Sequence, residues 1–168
     1  TPFGSGGTPR LISIEEGVGK MRAALAARCD SRLVIAGRTS APSISGIADA
    51  IRRVKAYEQA GVDVLFLVGV QTRAALDEIV GAVRLPVVLG AAGAELFDQP
   101  YLASRGVRIC LQGHQPFMTA VRAIRDTMKA LREGVQPRAL VGADDDALMK
   151  SATRHGDVMR HIDRYLSP

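Results

Sequence analysis

The chain has 168 residues, 47% hydrophobic and 23% charged, with a formal net charge of +5, a globular composition long enough for one domain with a sizeable core, which excludes disorder as the default. Three Tyr, four Phe and no Trp leave Leu, Val, Ile and Ala to fill that core, as in parallel sheets covered by helices. Lys and Arg are scattered among 17 acidic residues and no apolar stretch reaches the roughly 18 to 20 residues that span a bilayer, so neither nucleic acid nor a membrane is an expected partner.

Thr1 to Arg10 (TPFGSGGTPR) is rich in Gly and Pro and reads as a mobile leading loop. Ser13 followed by Glu16 makes a capping box, and Ile14, Val18, Met21 and Leu25 follow at one-face spacing, predicting a helix to about Ala27. A unit then recurs: a short apolar run, a polar or Gly-containing turn, an amphipathic helix. The runs are Leu33 to Gly37, Val62 to Val68, Pro86 to Leu89 and Val107 to Leu111. Their helices carry Ile47, Ile51, Val54 and Tyr57; then Leu76, Ile79 and Val80; then a shorter segment near Phe97 to Ser104; then Phe117, Val121, Ile124, Met128 and Leu131. Strands apolar on both faces and alternating with helices imply a parallel sheet with right-handed crossovers, either an open doubly wound sheet or part of a barrel. No G-x-G-x-x-G follows any run, which argues against a dinucleotide-binding sheet. After Gly134 come a linker with Pro137 and an acidic cluster, then a last helix over about Gly156 to Leu166, whose stripe of Val158, Ile162, Tyr165 and Leu166 has no strand partner in the sequence.

In βα proteins of either kind, ligands sit beyond the C-terminal ends of the strands. Those positions are Arg38-Thr39-Ser40, Gly69-Val70-Gln71, Gly90-Ala91-Ala92-Gly93 and Gln112-Gly113-His114. Arg38 would be held on a rigid strand with a forked donor suited to a carboxylate, unless it is paired with a structural Asp or Glu. His114 lies in LQGHQP, where Gly113 permits an unusual turn and Pro116 opens a helix. Its imidazole could donate a hydrogen bond or relay a proton; the plainer reading is a helix cap or surface group. Gly4-Ser5-Gly6-Gly7 lacks the strand and the Lys-Ser or Lys-Thr of a phosphate loop, and Asp144-Asp145-Asp146 fits a solvated helix start. His155 and His161, six apart, lie on different helix faces, which removes them as paired metal ligands. Cys29 and Cys110 have no activating motif and are too few for a disulfide framework; with no signal-peptide pattern, a reducing cytoplasm is the expected location.

The stretch SIEEGVGKMRAALAARCDSRLVIAGRTSA resembles the isocitrate lyase and phosphoenolpyruvate mutase superfamily, whose members carry such a helix, an apolar strand and then A-R-T-D-A. AIRRVKAYEQAGVDVLFLVGV is similar to the next unit, which usually ends in phenylalanine, a hydrophobic residue and Glu-Gly. The match runs from Ser13 to Gly134. The resemblance implies an α/β chain forming the C-terminal half of a (β/α)8 TIM-type barrel, with residues 1–134 as the second half of the barrel and 135–168 as a linker and helices exchanged between the subunits of a homotetramer. It implies that Arg38 binds a substrate carboxylate, and that Mg2+, with Mn2+ as an alternative, is held by acidic residues of the other half, with no metal ligand in this chain. Ser40 stands where the family has Asp, Val68 where carbon–carbon lyases and mutases often have Glu, and Gly90-Ala91 where an Asn-Met pair is common. These departures weaken a 2-methylisocitrate lyase-like or carboxyphosphonoenolpyruvate mutase reading. A His at the position of His114 is similar to the superfamily's oxaloacetate decarboxylases, which implies a small anionic 2-keto acid substrate, a metal that stabilises the enolate as a Lewis acid, and His114 and Arg38 as the catalytic and substrate-binding residues. A catalytically silent interaction subunit is the non-enzyme alternative.

Overall fold

The computed structural model describes residues 8–140, 142 and 146–166; Gly4 to Gly7, Asp144 and Asp145 lie outside the described residues. The first helix, α1 (Ile14–Ala26), starts where Ser13 Oγ accepts the Glu16 N–H at 3.1 Å. Half of the expected capping box is thus formed, and the Glu16 carboxylate is engaged with Lys20 at 2.9 Å.

Four strands follow: β1 (Ala36–Thr39), β2 (Val64–Val68), β3 (Val87–Gly90) and β4 (Val107–Cys110). They are parallel and lie in the order β1-β2-β3-β4. Between them run a short α2 (Ala41–Ile44), α3 (Ile47–Ala60), α4 (Arg73–Val80) and α5 (Gln99–Ser104), the last preceded by a 3-10 turn at Ala94–Leu96. This order decides between the two architectures that periodicity leaves open. A doubly wound sheet reverses its strand order and so carries helices on both faces; sequential order with right-handed crossovers puts every helix on one face, as in a barrel wall. Burial follows the second pattern. Gly37, Leu65, Leu67, Val87, Leu89 and Val107 share the buried face and pack under Val54, Tyr57, Leu76, Ile79 and Leu102. The opposite face presents Ala36, Arg38, Phe66, Val68, Val88 and Ile109, all exposed or half-buried.

The strand boundary that differs most from the sequence reading is the start of β1, which lies three residues later than the start of the apolar run. Leu33 and Val34, the first residues of the LVIAG run, are 56% and 62% exposed and precede β1. Pairing starts only after Asp63 has fixed Ile35, whose N–H donates to Asp63 Oδ2 at 2.7 Å while its carbonyl accepts from the Asp63 N–H at 2.9 Å.

The strongest polar element in the helical layer is on α3. Arg53, 7% exposed, donates from Nε to Asp49 Oδ2 and from Nη1 to the Ile12 carbonyl, both at 2.8 Å. The hydrogen bond from Arg53, and after it one from the Ser45 hydroxyl, holds the Asp49 carboxyl at about 2, below its usual 3.8, against the opposing effect of burial. Because the folded value is depressed, this stabilisation is complete above pH 3.8 and is lost as pH falls through 2. Asp49→Asn should cost about 3 kcal/mol in urea unfolding at neutral pH, the range for stranding a buried charge, and should remove this acid sensitivity between pH 4 and 2. Unchanged stability would mean that Arg53 does not depend on Asp49.

The chain divides into two compact units, Thr1–Gly113 and His114–Pro168. The second unit begins at His114, just before α6 (Gln115–Arg132) and twenty residues before the boundary at residue 134 that the sequence suggests for the barrel half, a boundary that compactness alone does not test. No residue of α6 is buried and none joins the core cluster; its stripe of Phe117, Val121, Ile124, Met128 and Leu131 is exposed. The rest of the second unit comprises a 3-10 turn at Pro137–Ala139, α7 (Asp146–Ala152) and α8 (His155–Tyr165). Asp146 is the first residue of α7, consistent with an acidic helix start. Among the described residues, no helix is long and apolar enough to cross a membrane.

Candidate active site

The C-terminal ends of β1, β2 and β3 converge on one patch of the open sheet face. Arg38 pairs in register with Phe66, and Phe66 with Val88; Val68 pairs with Gly90. The Arg38 guanidinium carbon lies 5.5 Å from the centroid of the Phe66 ring. Arg38 is exposed and, among the described residues, has no carboxylate within ion-pair distance, in contrast to Arg28 on Asp63, Arg73 on Asp98 and Arg105 on Asp77. The structural-partner alternative for Arg38 thus finds no acid among the described residues. An unpaired guanidinium at the end of a strand has the charge and the forked donors to receive an anion.

The backbone around it is stitched in place. Thr39, 5% exposed, accepts the Ala41 N–H at 3.1 Å and so turns the chain from β1 directly into α2. Ser43 on α2 presses on Gly69, which has φ +85°; a Cβ there would lie 2.6 Å from Ser43 Cβ. Gln71 Nε2 donates to the carbonyls of Gly69, at 3.2 Å, and Ala91, at 3.3 Å, linking the loops after β2 and β3. Ala91 is held at φ +48°, a left-handed conformation unusual for a residue with a Cβ. The Gly93 N–H donates to the Val70 carbonyl at 2.9 Å, and its α-carbon packs so closely on the Gln71 backbone that a side chain there would collide with it. Below the patch, Arg73 donates to Asp98 at 2.8 Å and lies over the Tyr101 ring, fastening the segment after β3 to α4.

His114 opens the second unit at the N-cap position of α6. Gly113 has φ +82°, the conformation expected of it, and Pro116 falls in the first turn of the helix. The cap bond comes from the His114 carbonyl, which accepts the Met118 N–H at 3.1 Å; the imidazole makes no side-chain cap. Arg38 and His114 thus belong to different compact units, and the structure does not bring them together within either one.

Two further sequence candidates are thiols of the first unit and two are histidines of the second. Cys29 is an exposed thiol just beyond α1; Cys110 ends β4, and burial pushes its thiol above the usual range, opposite to activation. His155 and His161 share α8 without pairing. Among the described residues, no three His, Cys, Asp or Glu side chains are placed to hold a metal ion. A groove of about 490 Å3 follows the free edge of β4, lined by Phe97, Leu102, Ile109 and Cys110 among others, and contains no carboxylate or imidazole. Sequence reasoning located the loops that carry Gln71, Gly90 and Ala91 but gave those residues no role, and it missed Phe66 as a neighbour of Arg38. The regularity that could have found Phe66 is the strand register, because equivalent residues of adjacent parallel strands share a face.

Comparison with known proteins shows the family of the chain. The family model described as phosphoenolpyruvate phosphomutase matches residues 4–132. Oxaloacetate decarboxylase of Bradyrhizobium sp. (strain ORS 278) is 51% identical over 94% of this chain and 55% of its own length. Oxaloacetate decarboxylase of Rhodopseudomonas palustris (strain BisB18) is 51% identical over 91% of this chain and 53% of its own. The chain therefore spans about half the length of the curated relatives it matches. Among solved structures, phosphonopyruvate hydrolase superposes with a TM-score of 0.73 at 28% identity, over 96% of this chain and 60% of its own. Oxaloacetate acetylhydrolase in complex with its product oxalate does so with 0.63 at 25% identity, over 88% and 56%.

Proposed function

Because the chain belongs to the phosphoenolpyruvate phosphomutase family, we propose that the intact protein decarboxylates oxaloacetate to pyruvate and CO2. The observation that carries this reading is Arg38: a free guanidinium at the mouth of a barrel wall, in a chain half identical to oxaloacetate decarboxylases. Its fork binds a carboxylate of the 2-keto acid and fixes one orientation of it, so that the other carboxylate is the one that leaves. When the bond from C3 to that carboxylate breaks, its electron pair is held as pyruvate enolate until C3 takes a proton. His114 is assigned to the reacting end, on the strength of its turn and the family resemblance, as a hydrogen-bond donor and proton source. Because its carbonyl and not its ring makes the bond at the start of α6, the ring is available for that role.

A dependence on a divalent ion, Mg2+ or Mn2+, is part of the proposal: when bound, the ion would stabilise the enolate as a Lewis acid, and since no three His, Cys, Asp or Glu among the described residues are placed to hold it, its ligands are expected from the other half of the barrel. A homo-oligomer, a tetramer with exchanged C-terminal helices, is supported by the exposed apolar residues Val158, Ile162 and Tyr165 of α8 and Leu166 just after it, and a cytoplasmic location by the two free cysteines.

Val68 and Gly90 offer neither carboxylate nor amide on the open face, which disfavours the lyase and mutase alternatives. The test is a substrate panel. For oxaloacetate, kcat/KM should exceed that for 2-methylisocitrate, 2,3-dimethylmalate and phosphonopyruvate by at least about 10²-fold, the scale on which a site rejects a substrate that leaves its polar groups unpaired. A preference for any of the other three would replace this assignment.

A further inference from the structure

We propose that Phe66 is a positioning residue for Arg38 and that Gly90 is the space that makes this possible. The proposal rests on Arg38 acting as the carboxylate grip. Phe66 sits opposite Arg38 on the neighbouring strand. A Cβ built on Gly90 would lie 2.9 Å from Cε2 and 3.2 Å from Cζ of Phe66. Gly90 is in register with Val68, two residues beyond Phe66. The ring therefore leans along the strand toward the C-terminal end of the sheet, into the volume that a side chain at position 90 would fill. There it meets the guanidinium, 5.5 Å from the ring centroid.

An Arg with no carboxylate partner has many rotamers open to it, and ordering one of them costs entropy each time substrate binds. A ring face attracts the cation through its quadrupole without neutralising it or occupying the donors that a carboxylate needs. A carboxylate partner would order the side chain as well, but it would compete with the substrate. Phe66 thus restricts the guanidinium and leaves its charge free. The Gly at position 90 and the aromatic at position 66 form one device, since any larger residue at 90 would push the ring back from the mouth.

The experiment is steady-state kinetics of the intact protein with oxaloacetate. Phe66→Met keeps the volume and removes the π face; it should raise KM roughly 3- to 30-fold, the range of an exposed to partly desolvated cation–π contact, with kcat changed less than about 3-fold. Gly90→Ala keeps the aromatic but displaces it, and should raise KM in the same direction. In an Arg38→Ala background neither substitution should lower kcat/KM further, whereas a merely structural role would give the same loss in both backgrounds. A wild-type KM in folded Phe66→Met, or equal losses with and without Arg38, would overturn the proposal. Should Phe66→Met fail to fold, Gly90→Ala is judged by the same two criteria. If Arg38→Ala itself has wild-type kinetics, the functional reading fails; if Arg38→Ala is impaired and Phe66→Met is not, only the positioning role fails.

Discussion

Arg38→Ala should lower kcat/KM for oxaloacetate by about 10²- to 10³-fold, with most of the loss in KM, and leave the unfolding midpoint unchanged. The size of the effect follows from the charge-assisted hydrogen bonds that a guanidinium makes to a carboxylate, whose removal costs roughly 2 to 5 kcal/mol. The split follows from timing. A grip on a carboxylate present throughout the reaction contributes to the ground state as well as the transition state, so its loss appears in KM. The unchanged midpoint follows from the structure: Arg38 is exposed, pairs with no acid among the described residues, and lies on the face away from the hydrophobic core. Arg38→Lys retains charge without the fork, and should recover only part of the affinity. A destabilised Arg38→Ala protein with normal KM would make Arg38 a structural residue.

His114→Ala should show the opposite division, a fall in kcat of about 10²-fold with a small change in KM, as for a group that acts on charge developing in the reaction. The alternative, that His114 only caps a turn, is sharply testable because the structure assigns capping to the wrong part of the residue for it. The carbonyl of His114 accepts the Met118 N–H, and Ala supplies the same carbonyl. The substitution should therefore spare α6 and leave stability intact. Wild-type kinetics in a folded His114→Ala protein would remove His114 from the reaction and restore a carbon–carbon lyase as the leading reading. A drop in stability with normal turnover in the folded fraction would make it a capping residue after all.

What could be read from the sequence depended on whether a feature is local. The four strands were visible because each is apolar on both faces and bounded by turn residues, and α1, α3 and α4 because their apolar residues recur at one-face spacing. The same signal misplaced the start of β1, since apolarity marks what could be buried and says nothing of where hydrogen-bonded pairing begins; Leu33 and Val34 are apolar and exposed. The four-residue α2 escaped notice because one turn has no periodicity to detect. Buried Arg53 was also missed, because a charged residue in a helix reads as solvated until its partners, Asp49 and the Ile12 carbonyl, are in place.

The site shows the same limit. Arg38 was legible from its place after an apolar run, and Gly113 from the turn it permits. The contact between Arg38 and Phe66 joins residues 28 positions apart, and the fit of Gly90 against that ring adds a third strand. Such relations exist only once the register is set. The placement of α6 is a different case: its stripe predicts a helix with an apolar face, but nothing in that stripe names the surface it covers.

The central claim, decarboxylation by the intact protein, is tested most directly by following oxaloacetate that carries 13C in its C4 carboxylate. Decarboxylation breaks the bond between C3 and C4, so the label should leave as 13CO2 and the pyruvate should be unlabelled, with turnover abolished by chelation of divalent ions and restored by Mg2+. Cleavage between C2 and C3, as in a hydrolysis to oxalate, would leave the label in acetate, and that result would contradict the claim.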